Sequence, residues 1–169
     1  YLIEAFNEIY SKISNSKLVI IGRDDGCKKE LEKQANMYSC KNKIIFTDFL
    51  SLEKVREHLI KTNVYIQPSL QEGLGIAAME AMLMKCPCIF TKVGGLVELS
   101  NNGENAILIP SKSVKGISDA IISIYKDKET AEIISNNARN FILNNFDINH
   151  ISNQHYKIYK KILGYNYVD

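Results

Sequence analysis

The chain has no apolar run that approaches the roughly 18 residues a membrane span requires, and no signal peptide is visible in it. It also has little excess charge. Its 21 Lys and Arg nearly balance 19 Asp and Glu, leaving +2. Nucleic-acid-binding domains usually carry a strong basic bias, so this balance argues against nucleic acid as the main partner. The four cysteines, Cys27, Cys40, Cys86 and Cys88, form no C-x-x-C pair, and the three histidines, His58, His150 and His155, are scattered. Reduced, largely buried thiols in a cytoplasmic protein are therefore expected, rather than a metal or redox site. There is no H-E-x-x-H, no Walker G-x-x-x-x-G-K-[ST], no G-x-S-x-G and no G-x-G-x-x-G. These absences remove the common signals of a zinc hydrolase, a P-loop nucleotide hydrolase, a nucleophile-elbow hydrolase and a nicotinamide-dinucleotide fold. No internal repeat, low-complexity tract or Pro/Gly linker divides the chain. Its 169 residues make one domain large enough to bury a core.

What is present is an alternation. Short apolar runs at 18–22, 43–47, 63–67, 88–91 and 106–109 read as strands apolar on both faces, as in a parallel sheet covered on both sides. Between them lie helical patterns at about 27–40, 51–61, 74–85 and 95–101. The spacing predicts a doubly wound, Rossmann-like α/β domain. After Pro110 the pattern turns helical throughout, with helices expected over 114–125, 131–143 and 148–163. Ile117, Ile121, Ile124 and Tyr125 form the stripe of the first. The chain opens on a helical segment without an initial Met, with Leu2, Phe6 and Ile9 on one face. The expectation is a piece of a longer protein, with further sequence ahead of Tyr1.

In open α/β sheets, ligands bind beyond the C-terminal ends of the strands. The glycine-rich and acidic segments fall at those ends: 22–26, 48–50, 68–75 and 93–95. The most informative is Glu72-Gly73-Leu74-Gly75-Ile76-Ala77-Ala78-Met79-Glu80. Gly73 and Gly75 allow a sharp turn and a close ligand approach. Leu74, Gly75 and Ile76 then offer free N–H groups at a helix start, where the dipole favours an anion. Glu72 precedes the helix and Glu80 lies about one turn inside it, so the two carboxylates can address different parts of one ligand. Carboxylates accept hydrogen bonds from sugar hydroxyls. A phosphate cradle with two such acceptors suits a nucleotide sugar better than a nucleotide alone. Taken singly, Gly73 and Gly75 fit a plain tight turn, Glu80 a surface glutamate, and Gly94-Gly95 with Glu98 a simple strand-to-helix turn. Their convergence carries the reading.

Together, Pro68-Ser69, Glu72 to Gly75, Glu80-Ala81-Met82, Pro87, Gly94-Gly95, Glu98, Gly103-Glu104-Asn105 and Pro110 resemble the C-terminal, donor-binding domain of glycosyltransferase family 4. These are retaining transferases of the two-domain GT-B architecture. The resemblance covers nearly the whole chain. It implies that Glu72 lies near the donor sugar as the catalytic-site carboxylate. It implies that Glu80 bonds the ribose hydroxyls, and that the N–H groups of the loop Gly73, Leu74, Gly75 and Ile76 face the diphosphate. Asp48, Phe49 and Leu50 would lie near the base. The expected ligand is a nucleotide-diphosphate sugar, with a carbohydrate or lipid-linked acceptor. No cofactor and no metal are expected, since Asp-x-Asp is absent.

Four positions depart from the family pattern. Asp48, Lys85 and Ala106 stand where Gly is usual, and Val97 where Pro is common. They affect turns more than hydrogen-bonding groups. The family's acceptor domain, and the strand and loop with the basic pair that neutralises the diphosphate, would precede Tyr1. This stretch alone is therefore expected to lack transfer activity. Two alternatives stay open: a GT-B sugar-nucleotide epimerase or phosphorylase, and a non-catalytic nucleotide-binding module. The last helix carries Ile151, Tyr156, Ile158, Tyr159, Ile162 and Leu163 beside Lys157, Lys160 and Lys161. It reads as a closing helix, or as a peripheral contact of the intact enzyme with the inner face of an anionic membrane.

Overall fold

The five apolar runs form five short parallel strands in the computed structural model, which describes residues 1–164. The strands are β1 (Leu18–Ile20), β2 (Ile44–Phe46), β3 (Tyr65–Gln67), β4 (Cys88–Thr91) and β5 (Ile107–Ile109). The helices are α1 (Leu2–Lys12), α2 (Lys28–Ala35), α3 (Leu52–Ile60), α4 (Ile76–Leu83), α5 (Gly95–Leu99), α6 (Val114–Lys126), α7 (Lys128–Asn145) and α8 (Ile148–Ile162). Strand and helix alternate from α1 to α6, which is the expected Rossmann-like α/β architecture, and the chain closes with α7 and α8.

The strands form two sheets. In one, β1 pairs with β2, with Leu18 opposite Ile44. In the other the order is β3-β4-β5, with Tyr65 opposite Cys88 and Ile89 opposite Ile107. Burial differs between the sheets. All four residues of β4 are buried, as expected for a strand covered on both faces. In the smaller sheet, Val19 and Ile45 are exposed. The expectation that every strand is apolar-covered on both sides therefore holds for β4 and fails for β1 and β2. Val19 and Ile45 are register partners on one face of this sheet, while Leu18, Ile20, Ile44 and Phe46 on the other face enter a core.

Helix α1 joins the halves. Ala5 packs into the core around Ile89, Ile109, Ile117 and Ile124. Ile3 and Phe6 of the same helix enter a separate core with Ala35, Cys40 and Ile44. A third core lies below α4, where Ala78, Ala81 and Met82 meet Phe90, Leu96, Leu99 and Ala138. Small residues make this close approach feasible, since Ala78 and Ala81 are fully buried. Arg139 of α7 donates from Nη1 to the Leu83 carbonyl, tying the two helices.

Several boundaries and faces differ from expectation. Helix α2 ends at Ala35, and a turn and a 3₁₀ segment (Lys41–Lys43) lead into β2. Helix α5 ends at Leu99, before a second 3₁₀ segment (Asn101–Gly103). Helix α7 is longer than its periodicity suggested, because Asp127 caps its start by accepting from Thr130 N. In α6, Ile117 and Ile124 are buried, but Tyr125 is exposed and lies beneath the Lys128 ammonium. No residue of α8 is buried. Among the described residues, no helix is long and apolar enough to cross a membrane.

Cys40, Cys86 and Cys88 are buried free thiols and Cys27 is an exposed one. Burial pushes the Cys86 thiol up to about 11, and it raises Cys88 further into the protonated form. Both act as weak donors, Cys86 to the Leu59 carbonyl and Cys88 to the Cys86 carbonyl.

Lys85, one of the four departures, sits after α4 at φ +58°. A left-handed backbone costs an L-residue roughly 1–2 kcal/mol, and glycine avoids most of that. Lys85→Gly is expected to stabilise the fold by about 1 kcal/mol, raising Tm by about 2–4 °C. A lowered Tm would show that the lysine side chain compensates for its backbone.

Candidate functional site

The loops after β1, β2, β3 and β4 all leave from strand C-terminal ends, where the sequence placed the site. The loop after β3 is held from several directions. The buried Thr91 hydroxyl of β4 donates to the Ser69 carbonyl at 2.6 Å, with the Gln67 carbonyl 3.3 Å away. The Gly95 N–H donates to the Gly73 carbonyl at 3.0 Å. The Gly94-Gly95 turn lies directly against this loop. A Cβ on Gly94 would sit 1.8 Å from the Glu72 carbonyl oxygen, and one on Gly95 would sit 2.3 Å from that of Gly73. The second glycine pair is therefore more than a strand-to-helix turn, because it lets two backbones touch.

The helix begins later than the sequence suggested. Gly75 is the N-cap of α4 in a left-handed conformation (φ 79°, ψ 49°), and Ile76 is the first helical residue. No side chain caps this end. The first N–H groups of any helix lack intrahelical partners, and here Ile76 and Ala77, the first two helical residues, are both exposed. Leu74 and Ile76 are exposed. An uncapped helix start with exposed flanks presents positive partial charge to solvent, which is the physical requirement for holding an anion.

The two glutamates diverge. Glu72 Oε2 accepts from Gln67 Nε2 and from Ser69 Oγ, each at 3.1 Å. Glu80 points to another neighbourhood. It lines a cavity of about 60 Å³ with Leu52, Val55, Arg56 and Leu59 of α3 and with Leu83 and Met84. Among the described residues its carboxylate takes no protein hydrogen bond or ion pair.

The loop Asp48, Phe49 and Leu50 is anchored rather than free. Asp48 Oδ1 lies 2.8 Å from Lys28 Nζ, and that hydrogen bond raises the Lys28 pKa. The pair ties the start of α2 to the loop after β2. The first of these is itself shaped by Asp24, whose Oδ1 accepts from Lys28 N and Gly26 N and whose pKa is lowered by those bonds. Phe49 is 79% exposed, a flat apolar face beside the polar pair.

The arrangement brings Glu72, Gly73, Leu74, Gly75 and Ile76 together on one loop and helix start. It sends Glu80 toward α3, and it sets Asp48, Phe49 and Leu50 on the other sheet. The sequence did not single out Gln67, Lys28 or Arg56. Gln67 carried a signal, as a polar residue closing an otherwise apolar strand. Lys28 and Arg56 carried none, being ordinary basic residues on helices.

Parallel strands, with their loops gathered at one end over an open helix start, define a Rossmann-like α/β domain. The family model for Glycosyl transferases group 1 matches residues 1–141, and the chain belongs to that family. A Methanocaldococcus jannaschii protein named as an uncharacterized glycosyltransferase is 29% identical over 95% of this chain and 40% of its own length. The capsular polysaccharide biosynthesis glycosyltransferase CapM of Staphylococcus aureus is 30% identical over 86% of this chain and 38% of its own length. The chain thus spans about two fifths of the length of these curated relatives. Among solved structures, the C-terminal domain of the group 1 glycosyl transferase LpcC from Francisella tularensis superposes with a TM-score of 0.77 at 29% identity. That match covers 86% of this chain and 77% of the other. HepE of Anabaena, solved in complex with UDP, shares the fold with a TM-score of 0.85 at 22% identity, over 95% of this chain and 44% of its own.

Proposed function

We propose that the chain binds the donor in a retaining, family 4 transferase that moves a sugar from a nucleotide-diphosphate sugar to a polysaccharide or glycolipid acceptor. One observation carries this reading: an uncapped α4 start and two carboxylates, Glu72 and Glu80, surround one loop yet address different spaces. The diphosphate would sit against the N–H groups of Leu74, Gly75 and Ile76. Glu72 would face the sugar, Glu80 the ribose, and the segment of Asp48, Phe49 and Leu50 the base. HepE, of the same fold, is solved with UDP and with UDP-glucose, which makes a uridine donor the first to test.

In the intact enzyme the C1–O bond to the diphosphate breaks while the acceptor hydroxyl forms its bond to C1 on the same face. A departing phosphate oxygen takes the hydroxyl proton. The protein's part is positioning, together with electrostatic stabilisation of the charge that develops on the leaving phosphate. The reading includes no resident cofactor and no metal, and it places the enzyme in the cytoplasm at the inner membrane face.

The test is ligand-detected NMR of this chain with UDP, GDP and ADP at millimolar concentration. One nucleotide is expected to bind selectively and to shift the amides of Leu74, Ile76 and Ala77. Shifts confined to other surfaces would remove the donor role from this loop.

A further inference from the structure

A chain of side-chain hydrogen bonds runs from inside β3 to the Glu72 carboxylate, and nothing in the donor reading requires it. The Tyr65 hydroxyl donates to Gln67 Oε1. Gln67 Nε2 then donates to Ser69 Oγ at 3.0 Å and to Glu72 Oε2 at 3.1 Å. Ser69 Oγ in turn donates to Glu72 Oε2 at 3.1 Å.

The direction of this chain is set at its outer end. The Glu72 carboxylate only accepts, so Gln67 turns Nε2 toward it and Oε1 inward. The inward Oε1 needs a donor, and the Tyr65 hydroxyl supplies it. Burial raises the Tyr65 phenol above its ordinary range, so that proton stays in place. With Oε1 occupied, both Nε2 hydrogens point outward, one to Ser69 and one to Glu72. Both bonds to Glu72 land on Oε2, and among the described residues Oε1 accepts none. The carboxylate is therefore held by one oxygen and offers the other.

The backbone supports the same geometry. Thr91 pins the Ser69 carbonyl, and the Gly94 turn packs against the Glu72 carbonyl. Holding a carboxylate by two donors on one oxygen removes rotamer freedom that a ligand would otherwise have to freeze. An apolar residue at 67 would suit the strand and would leave Glu72 held by Ser69 alone.

We infer that Gln67, with its Oε1 held by Tyr65, is a positioning residue that fixes the Glu72 carboxylate toward the sugar moiety of the donor. The inference rests on the proposed donor role of the loop. It differs in what it predicts, since Gln67 should act on recognition of the sugar and not of the nucleotide.

Two measurements test it on this chain. The first needs no ligand. The side-chain amide resonances of Gln67 are expected to shift, and to exchange faster with solvent, in both Glu72→Ala and Tyr65→Phe. The same resonances unchanged in both variants would overturn the inference, whatever the chain binds. The second compares UDP with UDP-glucose. In Gln67→Leu, UDP-glucose is expected to bind about tenfold more weakly, the loss of roughly one charged hydrogen bond. UDP should stay within about twofold of the wild type. Tyr65→Phe removes only a hydroxyl and should move the same ratio in the same direction without disturbing packing. An equal loss for both ligands would make Gln67 a purely structural residue and overturn the inference. If the wild type binds neither ligand, the donor reading fails, and the amide resonances alone decide whether Gln67 holds Glu72.

Discussion

Gly94→Ala is expected to destabilise the protein by about 2–6 kcal/mol, the sum of two penalties. The first is backbone strain. Gly94 has φ +46° and ψ −140°, a region an L-residue reaches only at about 1–3 kcal/mol. The second is steric. The new Cβ would meet the Glu72 carbonyl oxygen at 1.8 Å and its carbon at 3.0 Å. Both are backbone atoms, so no rotamer change relieves the contact, and overpacking of this kind typically costs about 1–3 kcal/mol. A fall in Tm of about 4–24 °C should result, because about 1 kcal/mol corresponds to 2–4 °C at this size. Gly73→Ala is the matched control. Nothing lies within 4 Å of its added Cβ, and its stability should change by no more than about 0.5 kcal/mol. Equal unfolding temperatures for the two variants would show that the loops do not touch as described.

Glu80→Ala should leave the fold intact and weaken nucleotide binding about 10- to 150-fold. This corresponds to the roughly 1.5–3 kcal/mol of a hydrogen bond to a charged group. The separation of the two effects follows from the environment. Glu80 is half-buried within α4, takes no protein partner among the described residues, and is replaced by the best helix former. Its removal therefore costs the fold almost nothing, while a ribose hydroxyl would lose its acceptor. Calorimetric titration of the selected nucleoside diphosphate, with a thermal melt alongside, reads both quantities. Unchanged affinity would release Glu80 from the ribose and leave it as a lining residue of the α3–α4 cavity.

The parts of the molecule legible in the sequence are those fixed by local pattern. Runs such as 88–91 contain enough consecutive apolar residues to declare a buried strand, and the residues between Glu72 and Glu80 declare a turn followed by a tightly packed helix. The errors also have physical causes. Helix α4 starts at Ile76 rather than at 74 because Gly75 takes a left-handed conformation as its cap, at a point where an added Cβ would crowd Leu96 and Leu99. Val19 and Ile45 look like core residues in any local window, but they share the face of β1-β2 that lies opposite its core. The contact of Gly94 with Glu72 joins segments about twenty residues apart, and a single sequence does not record it. The same holds for the Lys28–Asp48 pair and for the direction in which Glu80 faces. The resemblance supplied roles for Glu72 and Glu80, but the hold of Gln67 on Glu72 lies outside the motif that carried it.

Helix α1 is shared by two cores. Ala5 packs with Ile89, Ile109 and Ile117 beside β4 and β5, while Ile3 and Phe6 pack with Ala35, Cys40 and Ile44 beside β2. Neighbouring residues of one helix turn together, because each is fixed to the next by the same backbone ladder. A rotation of α1 that suits one core is therefore imposed on the other, and the two groups of strands answer to a single rod.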